Sequence, residues 1–328
     1  MERHPDKRTK NKGKVTMKRM FKILEMSCVF ALLSASAYAV SSQPLVDAEW
    51  TSRHSGKIVI VDVRDRSAYD KGHIADAINI PVNDLQSKPD AIMYPVHQCE
   101  KILGEEGLDI NRDVVLYGAG KEAAYLEFWM LDYMGMRDIH VLDGGIEQWK
   151  GQTSTVEAKL PPDVFTARRG PNKYATTAYV RKALRNHNII LLDVRTAGEY
   201  KGTDVRALRG GHIPGAINID FEENYQDGST RLKSMEELSR LYKAIDKKKE
   251  VVVYCQTGTR AANTYFVLKA LGFRKVRNYD ASWIEWGSDP SLPAEDVSYF
   301  NFVSVMKALR KLEKEQKHQQ TKGGQNGQ

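Results

Sequence analysis

The chain is predicted to be an α/β protein built from two copies of one unit. Three observations predict it: an internal repeat of roughly 135 residues, short β-branched runs alternating with helix-period stretches, and a length of 328 residues that accommodates two ordinary domains. Val59-Ile60-Val61-Asp62-Val63-Arg64 matches Ile190-Leu191-Leu192-Asp193-Val194-Arg195, and Gly72-His73-Ile74 matches Gly211-His212-Ile213. Val114-Val115-Leu116-Tyr117 matches Val251-Val252-Val253-Tyr254, and Asp143 through Trp149 matches Asp280 through Trp286. A period this long is a domain duplication, not a solenoid.

The elements follow in order. Residues 1–39 read as an export signal. A basic stretch ending Lys18-Arg19-Met20-Phe21-Lys22 precedes the apolar run Cys28–Leu33, and Ala37-Tyr38-Ala39 fits the cleavage pattern of small residues. That places the mature protein outside the cytoplasm, in a bacterial periplasm, and the run is too short for a membrane span. Domain 1 is expected over 45–150, a linker over 151–174, domain 2 over 175–300 and a disordered polar tail over 314–328. Ile58–Val63, Val114–Tyr117, Ile189–Val194 and Val251–Tyr254 have the near-continuous apolar character of buried parallel strands. Tyr125–Met134, Met235–Ile245 and Ala261–Leu271 carry the helical period between them. Strands alternating with helices imply crossovers, and so a mainly parallel sheet with helices on both faces of each domain.

Charge excludes one class of partner. The net charge is +7, but nine Lys or Arg against three acidic residues put +6 of it within residues 1–39. The remainder is close to neutral, which argues against nucleic acid. Cysteine count excludes a disulfide framework, since Cys28 falls in the leader and only Cys99 and Cys255 remain.

Cys255 stands where chemistry is expected. A buried strand ends at Tyr254 and a helix begins about Arg260 or Ala261, so Cys255 lies at the carboxyl edge of the sheet, where open α/β folds place their sites. The loop Gln256-Thr257-Gly258-Thr259-Arg260 is small and polar enough to turn several N–H groups inward. Such a nest at a helix N-terminus favours an anion, a thiolate included. A buried structural cysteine is the bland alternative.

These residues also resemble a known family. Asp193-Val194-Arg195, Glu199-Tyr200, Gly211-His212-Ile213-Pro214-Gly215-Ala216, Tyr254-Cys255 with its loop, and Asn278 through Trp286 together look like a rhodanese domain, and the resemblance covers about 45–150 and 175–290. It implies a sulfurtransferase in which Cys255 takes a sulfane sulfur from thiosulfate or a related donor. The sulfur then passes to cyanide or a thiol, with a persulfide between the two steps and no metal or organic cofactor. A thiol-reducing protein partner fits an exported thiol. By the same resemblance domain 1, with Gly118 at the cysteine position, is structural.

Other readings separate by spacing. Related phosphatases place Arg six positions after Cys, whereas Arg260 follows Cys255 by five, a tighter ring. Animal-type thiosulfate enzymes carry cations after the cysteine where this chain has Gln256 and Thr257, and Glu199 stands where they have Arg. The mercaptopyruvate-type loop is absent too, and the ending Asp280 through Trp286 looks more like bacterial thiosulfate enzymes. A non-enzymatic persulfide carrier or redox sensor remains the rival from another class. Asp193 is expected to accept from loop N–H groups or to pair with Arg195, supporting the ring. Trp283, unmatched in the aligned first repeat, is expected beneath the loop, and Arg260 either attracts an anionic donor or simply starts the helix. Cys99, in the helical stretch Val96–Leu103, reads as packing or surface. His73 and His212 share a Gly-His-Ile turn and read as structural.

Overall fold

Each repeat forms around a five-stranded, wholly parallel sheet, because its β-branched runs must bury both faces. The structure, a computed structural model, describes residues 44–303 together with Lys307 and Arg310. The expected leader and tail lie outside the described residues. Among the described residues no helix is long and apolar enough to cross a membrane.

The first repeat contains β1 (Leu45–Val46), β2 (Val59–Asp62), β3 (His73–Ile74), β4 (Ile78–Asn79), β5 (Val114–Tyr117), β6 (Ile139–Leu142) and β7 (Thr153–Ser154). Its sheet has the order β1-β6-β5-β2-β4. The second contains β8 (Tyr174–Ala175), β9 (Ile189–Asp193), β10 (Arg209–His212), β11 (Ile217–Asn218), β12 (Glu250–Tyr254), β13 (Val276–Tyr279) and β14 (Glu295–Tyr299). Its sheet, β11-β9-β12-β13-β8, repeats the same order. Two short antiparallel ribbons, β3-β7 and β10-β14, stand apart from the sheets. In β12 the residues Val251 through Tyr254 have no exposed surface, each apolar side chain contributing about 1.5–3 kcal/mol by burial.

Several boundaries differ from the sequence reading. The helix expected over Met235–Ile245 ends at Leu241. Beyond it the chain tightens so that the Ile245 N–H reaches the Tyr242 carbonyl, three residues back, and both side chains bury. The helix after Cys255 spans Thr259–Ala270 and so starts before Arg260. The stretch read as a linker opens with β7, which pairs with β3, and ends with Tyr174 in β8. Between them it runs along the first repeat, pinned by Asp163 N–H to Gly104 O, Ala167 N–H to Glu100 Oε1 and Arg168 N–H to Met134 O.

The repeats meet through the helices Ala123–Met134 and Thr259–Ala270, which follow the central strands β5 and β12. Both are buried on nearly every face, since each is trapped between its own sheet and the other repeat. Phe266 receives Phe128 edge-on at 4.9 Å and Tyr125 at 5.0 Å, and one core cluster runs through both repeats. Reciprocal loops complete the contact. A hairpin closed by the Gln86–Met93 bridge donates its Met93 N–H to Asp280, and one closed by Tyr225–Leu232 donates its Leu232 N–H to Asp143.

Candidate active site

Cys255 follows the central strand β12 directly and has no exposed surface. Its backbone is pinned from the far side of the sheet edge. The Cys255 N–H donates to Ser282 Oγ at 3.1 Å, and that hydroxyl donates on to Tyr279 O at 2.7 Å. The Trp283 N–H reaches Cys255 O at 3.0 Å and the Ile284 N–H reaches Gln256 O at 2.9 Å. Beyond this anchor the N–H groups of Gln256, Thr257, Gly258, Thr259 and Arg260 have no acceptor among the described residues. Gly258 turns the chain into the helix at φ +83°, and a Cβ there would lie 2.6 Å from Asp280 O and 2.8 Å from Asp280 Oδ1. A strand end, a tight turn and a helix N-terminus thus place a row of free donors beside one thiol, a setting for an anion.

Ser282 is the residue sequence reading missed. It holds φ +47°, a conformation that is costly for a side chain bearing a Cβ, where the first repeat places Gly145 at φ +61°. Its hydroxyl is the compensation, for without it the buried Cys255 N–H would lose its partner. The signal in the sequence was the replacement of a repeat glycine by serine.

Arg260 neither faces a donor freely nor merely starts a helix. It forms a bidentate pair with Glu199, both bonds at 2.8 Å, and its guanidinium lies over the Phe221 ring. Burial pushes the Glu199 carboxyl up, but the Arg260 bonds outweigh it and hold the group down at about 2. A depressed carboxyl stabilises the fold above its ordinary value, near 4.5, and that stability disappears as pH falls through about 2. Glu199→Ala should therefore cost about 3 kcal/mol or more at neutral pH by leaving Arg260 buried and unpaired. The difference from wild type should shrink as denaturation is measured toward pH 2.

The supporting residues divide. Asp193 accepts from the backbone N–H, Nε and Nη2 of Arg195, so the ion pair is present and loop N–H groups are not its partners. The loop lies one strand farther on, and Arg195 occupies both carboxylate oxygens. Arg195 spans to Gly211 O and lies 4.5 Å from the Trp283 ring, which is buried at the anchor of Cys255. In the first repeat Arg64 pairs with Asp62 and reaches Gly72 O in the same way. Trp283 does have a counterpart: Ile146 donates its N–H to Gly118 O as Trp283 does to Cys255 O. The equal-length match of 143–149 with 280–286 already sets Ile146 opposite Trp283, and the two side chains are simply unlike. Gln256 donates to Arg206 O, and Thr257 and Thr259 share a 3.5 Å hydroxyl contact. His73 and His212 stack on Tyr69 and Tyr200, each with its Nδ1 at that tyrosine's carbonyl.

Cys99 and the first-repeat loop provide internal contrasts. Cys99 is buried in the core beside Leu85 O and Tyr94 O, and burial pushes its thiol up to about 12. In the first repeat Gly118 takes the cysteine place, and the Gly120 N–H is taken by Glu147 Oε1 at 2.9 Å. That loop satisfies its own donor with a carboxylate, whereas the equivalent Thr257 N–H has none. A cavity of about 640 Å³ lies between the repeats, bounded by Arg64, Asn83, Gln86, Lys121 and Glu122 of the first and Thr259 of the second.

Comparison with known proteins gives consistent matches. The model of the rhodanese-like domain matches twice, at residues 47–152 and 176–289. A thiosulfate sulfurtransferase of Corynebacterium glutamicum is 34% identical over 272 residues, 76% of this chain and 90% of that protein. The anaerobic ergothioneine biosynthesis enzyme from Chlorobium limicola, solved with trimethyl histidine, is similar with a TM-score of 0.71 and 26% identity, over 77% of this chain and 70% of that one. An EanB variant solved with a cysteine persulfide and ergothioneine matches with a TM-score of 0.69 and 25% identity, over 77% and 70%.

Proposed function

The chain belongs to the rhodanese family, a tandem-domain sulfurtransferase, and from that premise we propose that it moves a sulfane sulfur from thiosulfate to a thiophilic acceptor through a persulfide on Cys255. The observation that carries this reading is the run of five acceptor-free N–H groups, Gln256 through Arg260, directly after a single sheet-edge thiol. The Cys255 thiolate attacks the outer sulfur of thiosulfate, the S–S bond breaks and sulfite departs with the electron pair. The terminal sulfur of the persulfide then carries a negative charge that the loop N–H groups stabilise, as preorganised dipoles do for any developing anion. Cyanide attacks that sulfur, thiocyanate leaves and the thiolate returns. Atoms and electrons balance without an added oxidant.

Two features bear on the donor. The mutual commitment of Arg260 and Glu199 leaves the N–H groups, not a free guanidinium, as the main attraction for an anion. A thiosulfate enzyme among the relatives favours thiosulfate, and a persulfide in a solved relative supports the intermediate. Thiocyanate formation at varied thiosulfate and cyanide tests the reading: parallel double-reciprocal lines are expected. Intersecting lines would contradict a free persulfide intermediate, and a single loading without turnover would instead favour the persulfide carrier. Export by the leader ending Ala37-Tyr38-Ala39 belongs to the same reading. A secreted product whose N-terminal sequence starts at Val40 supports it, and one retaining Lys18-Arg19 contradicts it.

A further inference from the structure

The reciprocal hairpin contacts between the repeats are alike in shape and unlike in charge. Asp143, after β6, accepts the Leu232 N–H at Oδ1 and pairs with Arg231 at Oδ2, both at 3.0 Å. Asp280, after β13, accepts the Met93 N–H on Oδ2 at 2.9 Å, but Ile92 stands where Arg231 stands. Asp280 has no exposed surface, and its Oδ1 has no hydrogen-bond partner. That oxygen faces Gly258, 2.8 Å from where a Cβ would be. A buried carboxylate without a cation or a full set of donors is among the most costly groups a fold can hold.

The groups packed round it offer no compensation. The active loop brings Gly258, which carries no charge, and Arg260 in the helix beyond it is committed to Glu199. The neighbouring strand brings the Tyr174 hydroxyl, itself pushed up by burial, and Glu285 beyond it bonds Thr177. The hairpin brings Met93 and Ile92. Burial thus pushes the Asp280 carboxyl up to about 7, with only the Met93 N–H opposing.

We propose that Asp280 is a proton-holding positioning residue: its neutral carboxyl joins the Ser87–Met93 hairpin of the first repeat to Gly258 of the active loop, and ionisation parts the two. An ionised Asp280 regains its solvation only by admitting water between hairpin and loop. The seat of Cys255 is then coupled through Gly258 to a proton and to the first repeat, which holds no nucleophile at Gly118. The role in transfer rests on the sulfurtransferase reading; the latch itself does not.

The sign follows from linkage. The folded protein keeps a proton that the unfolded chain releases near pH 4, so the stability this lends is full below that pH and is lost as pH rises through about 7. Asp280→Asn keeps an acceptor for Met93 and removes the titration. Amide hydrogen exchange of the peptide spanning the hairpin, corrected for intrinsic rates, should match between wild type and Asp280→Asn at pH 4. At pH 8 it should be at least about tenfold faster in wild type, because the linked loss accumulates between the ordinary carboxyl value and about 7 and is complete above it. Ile92→Arg, which supplies the cation that Asp143 has, should flatten the wild-type pH dependence of melting even if the first variant folds poorly. Equal exchange at both pH values, with an unflattened Ile92→Arg profile, overturns the proposal. The ratio of Asp280→Asn to wild-type turnover should rise about tenfold over the same range. An exchange difference without any turnover would sink the transfer reading and leave the latch standing.

Discussion

Cys255→Ser loses sulfur transfer by at least about a thousandfold and keeps the fold. Cys255 has no exposed surface, the substitution changes one atom, and the anchoring bonds from Ser282, Trp283 and Ile284 run to backbone groups that remain. Gly118 in the first repeat shows that the same strand, turn and helix form with no side chain there at all. What disappears is the polarisable nucleophile, because a serine hydroxyl is not ionised near neutral pH. Cys99→Ser leaves the rate unchanged within about twofold, since its thiol is held neutral in the core. Thiocyanate formation by the two variants beside wild type, with circular dichroism for the fold, checks both. Equal losses in the two would remove Cys255 from its role.

Gly258→Ala has the second large effect, for two separable reasons. The backbone at φ +83° penalises any Cβ by about 1–2 kcal/mol. The new methyl would also stand 2.6 Å from the Asp280 carbonyl and 2.8 Å from its carboxylate, and overpacking of this sort costs about 1–3 kcal/mol more. Relief requires the loop to move, and the loop carries Cys255. A stability loss of about 2–5 kcal/mol is expected, with turnover down at least about tenfold in the fraction that folds. Gly120→Ala is the control. It lies at φ +74° two residues after Gly118 with nothing within 4 Å, so it bears the conformational cost alone. Urea denaturation of the pair separates strain from collision: similar losses would mean that the Asp280 contact contributes nothing.

Much of this was legible in the chain because the repeat is visible residue by residue. Strands such as Val114–Tyr117 announce themselves, since burial on both faces leaves no polar interruption. Cys255 was legible because a strand, a glycine-bearing polar loop and a helix fall in succession. What escaped depends on contacts distant in sequence. Nothing near Arg260 indicates that Glu199, sixty-one residues earlier, neutralises it. Glu199 stood out in the chain as part of the Glu199-Tyr200 pair and as a departure from an animal-type arginine, neither of which names its partner. Asp280 looked like a shared repeat residue, and its difference from Asp143 lies in Ile92 against Arg231 on the opposite repeat. Ser282 stood opposite Gly145 in the repeat, and nothing local shows that its hydroxyl holds the Cys255 N–H, twenty-seven residues earlier. In each case the local segment carries the element, and the partner that fixes its chemistry comes from another.

The most direct test of the central claim is the mass of the Cys255 peptide after brief exposure of the reduced protein to thiosulfate. That peptide is expected to gain one sulfur atom, to lose it on addition of cyanide with release of thiocyanate, and to do so while the Cys99 peptide stays unchanged. An unmodified Cys255 peptide in a sample that is turning over thiosulfate would contradict the persulfide route and the assignment of Cys255 as its carrier.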